Sequence, residues 1–381
     1  MPIINFTNFY EQHSKKPRPL KKGKKKRKSR KKWLLRRDRK NLRRRMKKKK
    51  VGCYSSGGKK RFDLNDHTKD SLSISSDKKI VIDLPEQLDF DNNYESTVSH
   101  FTLLHKAVKE RKQIRCLRFD KIKYISPSAA LVLASEVDRW DQMVGIRLKA
   151  DIDSWDVNIK RLLCEMGYFE LLHKPKPVIP LQGGKTIFLP FKKGKTDDRN
   201  SGALAKRLRI DIEGEVGERI KKQSLFEGIS EAITNVGQHA YRTSDNYSLK
   251  QWWLSASYNS EDKRLFVTFF DQGEGIPKTL PRSYFFMIIK DSFNLLSDSG
   301  KIKAAMETGR TSTGCPERGK GLMNLVEFAK SYKEGQLSIY SLRGMYRQKF
   351  VITDGKLVVN TVLLDHKYSI GGTLIEWEVR L

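Results

Sequence analysis

Residues 15–50 read KKPRPLKKGKKKRKSRKKWLLRRDRKNLRRRMKKKK, with 24 Lys or Arg against a single acid, Asp38. Trp33, Leu34 and Leu35 are almost the only apolar surface the segment has to bury. Like charges at this density repel each other and keep a chain extended until a polyanion neutralises them. The fold must therefore be made elsewhere. The formal net charge is +32, of which this segment supplies 24 − 1 = +23, so the remainder is a mildly basic protein at 32 − 23 = +9. Residues 1–78 read as a disordered basic arm and linker, since GCYSSGGKK and SLSISSDKK follow the charged run. Such an arm suits nucleic acid, through phosphate neutralisation and counterion release. An anionic membrane surface or a purely solubilising role stays open for the same charges.

Two α/β segments follow. In 79–180, KKIVIDLP and QIRCLRFD read as strands. YESTVSHFTLLHKAVKE places Val98, Phe101, Leu104 and Val108 at helical spacing. SAALVLASEVDRWDQM reads as a second helix, GIRLKAD as a strand and DVNIKRLLCEMGYFELL as a closing helix. Alternation of this kind predicts a sheet covered by helices. The Pro- and Gly-rich KPKPVIPLQGGKT marks a boundary, and 185–381 is the larger α/β domain. Four separated cysteines without a CxxC pair suit a reducing compartment. With no apolar run of about 20 residues to span a bilayer, a cytoplasmic protein is the expectation.

Three stretches of the larger domain point to chemistry. In SLFEGISEAITNVGQHAY the apolar residues Leu225, Ile229, Ile233, Val236 and Ala240 have core spacing. Glu231, Asn235 and His239 form a polar row beside them. Each four-residue step drifts about 40°, so the row covers only about 80° of the helix. Asn is a poor helix former, and the row lacks the Lys/Glu pairs of a solvated face. It suits the floor of a pocket, where a carboxylate orients and deprotonates water and an amide oxygen coordinates Mg²⁺. A solvent-exposed stripe is the alternative. In RLFVTFFDQGEGIP a strand ends in Asp271 and enters Gly273 and Gly275, which suits either a close-approaching ligand or a tight turn. In PERGKGLMNLVEFAKSY, Gly319, Lys320 and Gly321 lead into a helix whose N-terminus favours phosphate. A glycine N-cap region is the simpler reading.

Together and in this order, ExxxNxxxHA (231–240), DxGxGI (271–276) and GxGL (319–322) resemble the N, G1 and G2 boxes of the GHKL (Bergerat-fold) ATPases. That superfamily includes gyrase, heat-shock chaperones, mismatch-repair ATPases, histidine kinases and anti-sigma-factor kinases. The resemblance covers roughly 200–381 and implies an α/β sandwich with helices on one face of a mixed sheet. It implies ATP and Mg²⁺ as ligands, Glu231 as catalytic base and Asn235 as metal ligand. Asp271 would read the adenine amino group, with Thr373 of the last strand, GGTLIEWEV, acting nearby through water. Gly273, Gly275 and Ile276 would pack on the nucleotide, and Gly319, Lys320, Gly321 and Leu322 would form the phosphate turn. His239 would sit at the pocket edge. Residues 277–317 fall where the ATP lid belongs.

The segment 79–180, through YISPSAALVLASEV and VNIKRLLCEMGYFELL, resembles the STAS fold of anti-sigma-factor antagonists. Ser128 takes the position of that family's phosphate acceptor, although the family's Asp and Gly in that loop are absent here. Ser126 or Ser128 as a plain helix cap is the other reading. EAITNVGQHAY is most similar to the anti-sigma serine kinases, and no helix reads as the phospho-acceptor helix of a sensor kinase. The expectation is an Mg-ATP-dependent ATPase or serine/threonine protein kinase with a fused STAS-like regulatory module and a protein substrate or regulatory partner. The alternative is a weakly hydrolysing ATP-gated binding switch that acts on nucleic acid through residues 15–50. Self-association as a dimer is open.

Overall fold

The computed structural model describes residues 65–74, 80–109, 114–144, 152–178, 185–195, 201–216, 220–241, 249–280, 297–308 and 321–381. The basic run 15–50 and the expected strand at 145–151 lie outside them.

Near the N-terminus, β1 (Leu72–Ile74) pairs antiparallel with β2 (Ile80–Asp83). This corrects the expected boundary, because part of the Ser-rich linker in 1–78 is an edge strand. Its three residues, Leu-Ser-Ile, are too short a period to stand out from the serines around them. After β3 (Gln87–Leu88) comes α1 (Tyr94–Lys109). This helix connects to β4 (Ile114–Arg118), which is parallel to β2 and so requires a crossover. β5 (Tyr124–Ile125) pairs in parallel with β3 and leads into α2 (Pro127–Val144). Ser126 caps that helix, its Oγ accepting from the Ala129 amide at 3.3 Å, with Pro127 preset at the first helical position. Residues 128–140 of α2 are all buried, including Glu136, Asp138 and Arg139. A helix buried all round lies between two layers. α3 (Val157–Met166), capped by the Asp156 carboxylate, and the short α4 (Tyr168–Leu171) complete this part.

Next come β6 (Thr186–Phe188), β7 (Lys192–Lys195), α5 (Ser201–Val216) and α6 (Lys222–Asn235). The hairpin of β8 (Gln251–Asn259) and β9 (Arg264–Asp271) forms where the alternating apolar pattern predicts it. Three helices follow: the single turn α7 (Ile276–Thr279), α8 (Asp298–Thr308) and α9 (Gly321–Lys330). The chain ends in β10 (Glu334–Ser341), β11 (Gly344–Thr353), β12 (Lys356–Asp365) and β13 (Thr373–Arg380).

These strands make one eight-stranded sheet in the order β12-β11-β10-β13-β9-β8-β6, with β7 also on β8. Its described pairings are antiparallel, which corrects the expected mixed sheet. The reason is connectivity: β8–β9, β10–β11 and β11–β12 are joined by turns of two to four residues, too short for the crossover that parallel neighbours need.

Strand alternation gives the sheet two buried faces. On one, Trp252, Leu254, Val267, Phe269, Ile339, Ile375 and Trp377 pack with α5, α6, α8 and α9. The other is covered by the N-terminal part, with α2 lying against β8 and β9. There Phe90 and Tyr94 meet the Tyr340 ring at centroid distances of 5.7 and 5.9 Å. Tyr340 also donates to Asp91 Oδ1 at 2.8 Å. Residues 64–381 therefore form one compact unit rather than two modules on a linker. Among the described residues, no helix is long and apolar enough to cross a membrane.

Candidate functional site

The apolar stripe of α6, with Leu225, Ile229 and Ala232 in the core, sets the helix on the sheet and leaves its polar row at the margin. Glu231 and Asn235 are half-buried. Burial raises the Glu231 carboxyl above its ordinary value, and a hydrogen bond with the Asn235 side chain partly offsets this. The helix then widens into a π turn over Val236–Ala240. His239 lies within this turn. Of the expected row, Glu231 and Asn235 are thus half-buried and His239 is exposed.

Register brings Asp271, Thr373 and Ser341 level across three neighbouring strands, at one end of the sheet. Asp271 and Thr373 have the same parity as Phe269 and Ile375, so both face the α6 side. Asp271 is buried. Its Oδ1 accepts from the Gly273 amide at 2.7 Å, and the Thr373 hydroxyl bonds to it as well. Burial pushes its carboxyl up to about 7 despite both bonds. Ser341, which no motif marked, ties the row together. Its Oγ accepts from the Ile276 amide at 2.9 Å and lies 3.0 Å from Thr373 Oγ1.

The loop after Asp271 rests on the end of the π turn, where the Glu274 amide donates to the Ala240 carbonyl at 2.8 Å. A Cβ at Gly273 would lie 2.5 Å from that carbonyl oxygen, so glycine is required by close approach. Gly275 has φ +83°, a conformation that favours glycine. Ile276 packs against the core.

The helix-end motif and the glycine loop thus meet at Ala240.

Gly319 and Lys320 lie outside the described residues. Gly321 and Leu322 open α9, which runs beside α6. The expected lid, 277–317, is only partly described. Its described middle is α8, docked on β11 and β12 with Ile302 and Met306 in the core. The Ile-Lys-Ala-Ala-Met run supplies that apolar contact.

Ser128 is placed elsewhere. It is buried under the opposite face of the sheet, with its Oγ 3.2 Å from Ser126 Oγ and a hydrogen bond to the Glu376 carboxyl. Burial pushes Glu376 up to about 7. A cavity of about 470 Å³ opens there, lined by Ser126, Ser128, Phe188, Ser257, Thr268 and Glu376. It is separated from Glu231 and Asp271 by the thickness of the sheet.

Sequence reasoning also missed Gln272, an unmarked position inside DxGxG. Its amide donates to Tyr241 Oη at 3.1 Å. Its side chain accepts from Arg139 Nε at 3.1 Å and donates to Ser135 Oγ at 2.9 Å and Glu136 Oε1 at 3.2 Å, all on α2. Arg139 and Glu136 form a buried ion pair at 3.1 Å. The residue beside Asp271 is therefore the link between the strand-end site and the helix on the sheet's other face.

Chemically, the arrangement offers a buried acid and a hydroxyl at a strand end, and a half-buried carboxylate and amide on the adjacent helix. Such a set can accept a hydrogen bond from an amine, orient water and supply oxygen ligands to a hard cation. The chain matches no family model and no curated protein in the comparisons made with it.

Proposed function

We propose that this is an Mg-ATP-binding protein of the GHKL type, acting as an ATPase or a serine/threonine protein kinase. The observation that carries the reading is the meeting of two sequence motifs in one place. The loop after Asp271 is seated on the end of the helix that bears Glu231 and Asn235. Asp271 and Thr373 accept and position the adenine edge. Glu231, raised by burial, is suited to take a proton from water or a hydroxyl. The Asn235 amide oxygen would hold Mg²⁺, whose charge would neutralise phosphate oxygens. Catalysis then rests on positioning and electrostatics. The N-terminal STAS-like part is the regulatory module, and residues 15–50 supply contacts to a polyanion such as nucleic acid. Titration with Mg-ATP tests the reading. Binding retained in Glu231→Gln with turnover lost supports it; turnover unchanged in that variant removes Glu231 from its role.

A second reading is favoured by Gln272. Because it bridges the strand-end loop to α2, nucleotide binding can alter how the N-terminal part is held, with little hydrolysis. Single-turnover phosphate release, measured with and without nucleic acid, separates the two.

A further inference from the structure

We propose that the β12 edge of the sheet is a homodimer interface, formed by antiparallel pairing with β12 of a second copy. β12 is ten residues long, pairs with β11, and is exposed at every position. Between its terminal Lys356 and Asp365 it has no charge and no proline. Leu357, Val358, Val359, Val362, Leu363 and Leu364 are 40–54% exposed. Long, flat, apolar edges pair with other chains unless guarded. The opposite edge shows such guarding: β6 has three residues, and β7 reads Lys-Lys-Gly-Lys, with Lys192 held by Asp211 of α5 at 2.9 Å.

The strand's own pattern selects a second copy. Thr353 and Lys356 flank the two-residue Asp354–Gly355 turn, both of whose residues have positive φ. That turn makes Thr353 and Lys356 a hydrogen-bonded pair, so residues 357, 359, 361, 363 and 365 point their amides outward. Opposed residues of an antiparallel pair share a face, so a two-fold axis falls on Asn360 or Thr361. Centred on Thr361, it sets Val359 against Leu363 and Val358 against Leu364 of the second copy. Centred on Asn360, it sets Leu357 against Leu363 and Val358 against Val362. Both registers oppose apolar to apolar. Both bring the Lys356 end of one strand to the Asp365 end of the other. Asp365 already accepts from Ser299 and is held below its ordinary pKa, so it is ionised and retains lone pairs for a lysine. This interface is independent of the nucleotide reading.

The test is sedimentation and light scattering of the full chain across a range of concentrations. The wild type is expected to be a dimer. Val359→Pro removes an outward amide, which an edge strand tolerates, and Leu363→Lys adds an edge charge. Each should raise the dissociation constant about tenfold or more while circular dichroism stays unchanged. Hydrogen exchange on the wild type covers the case of a variant that fails to fold: the outward amides of β12 should gain protection with concentration. A monomeric wild type, a dimer unaffected by both variants, or amides equally protected at every dilution would overturn the proposal.

Discussion

Gly273→Ala places a methyl group where there is no room. Its Cβ would lie 2.5 Å from the Ala240 carbonyl oxygen and 2.6 Å from both Ala240 Cβ and Asp271 Oδ1. Two of these are backbone or Cβ positions that cannot rotate away, so the loop must lift off the π turn. Overpacking of this kind costs about 1–3 kcal/mol. Lifting the loop also strains the Glu274 amide bond to Ala240 at 2.8 Å. The melting temperature should fall by a few degrees. If the loop positions Asp271 for adenine, ATP affinity should fall about tenfold or more, since 1.4 kcal/mol is a factor of ten. Gly214→Ala is the matched control. That glycine is exposed on α5, and an added Cβ meets nothing within 4 Å. The same change there should stabilise by about 0.5–1 kcal/mol. Differential scanning calorimetry and ATP titration read both variants. Equal melting temperatures for the two would refute the close-approach argument.

Asp271 and Glu376 are buried acids whose folded pKa values are raised to about 7. The folded state thus holds protons that the unfolded chain releases, so this stability is present below about pH 4 and lost as pH rises through about 7. Each group contributes a slope of up to about 1.4 kcal/mol per pH unit between those limits; denaturant melts across that window should flatten in Asp271→Asn and in Glu376→Gln. Gln272→Ala leaves buried partners on α2 unsatisfied and should cost about 1–3 kcal/mol in thermal melts. Its effect on ATP affinity, measured alongside, reports coupling between the loop and α2. Glu231→Gln should abolish phosphate release in a turnover assay with little change in ATP binding.

Much of the large sheet was legible because its signals are local. Alternating residues in WWLSASYNSEDKRLFVTFF and the short turn gave the β8–β9 hairpin, and the 3.6-residue stripe gave α6. The pairing of β13 between β9 and β10 is not a local property, so Asp271, Thr373 and Ser341 could not be seen as one row. The π turn is equally invisible to a wheel drawn with constant pitch. The α2 segment reads simply as a helix, and nothing local marks its polar residues as buried. Only its burial on both sides explains why Glu136 and Arg139 face Gln272.

Isothermal titration of the full chain with Mg-ATP, comparing wild type with Asp271→Asn, tests the account at its centre. It predicts saturable one-site binding, weakened about tenfold or more by Asp271→Asn and left unchanged by Glu376→Gln on the opposite face. A wild type without saturable binding, or Asp271→Asn binding as tightly as wild type, would contradict it.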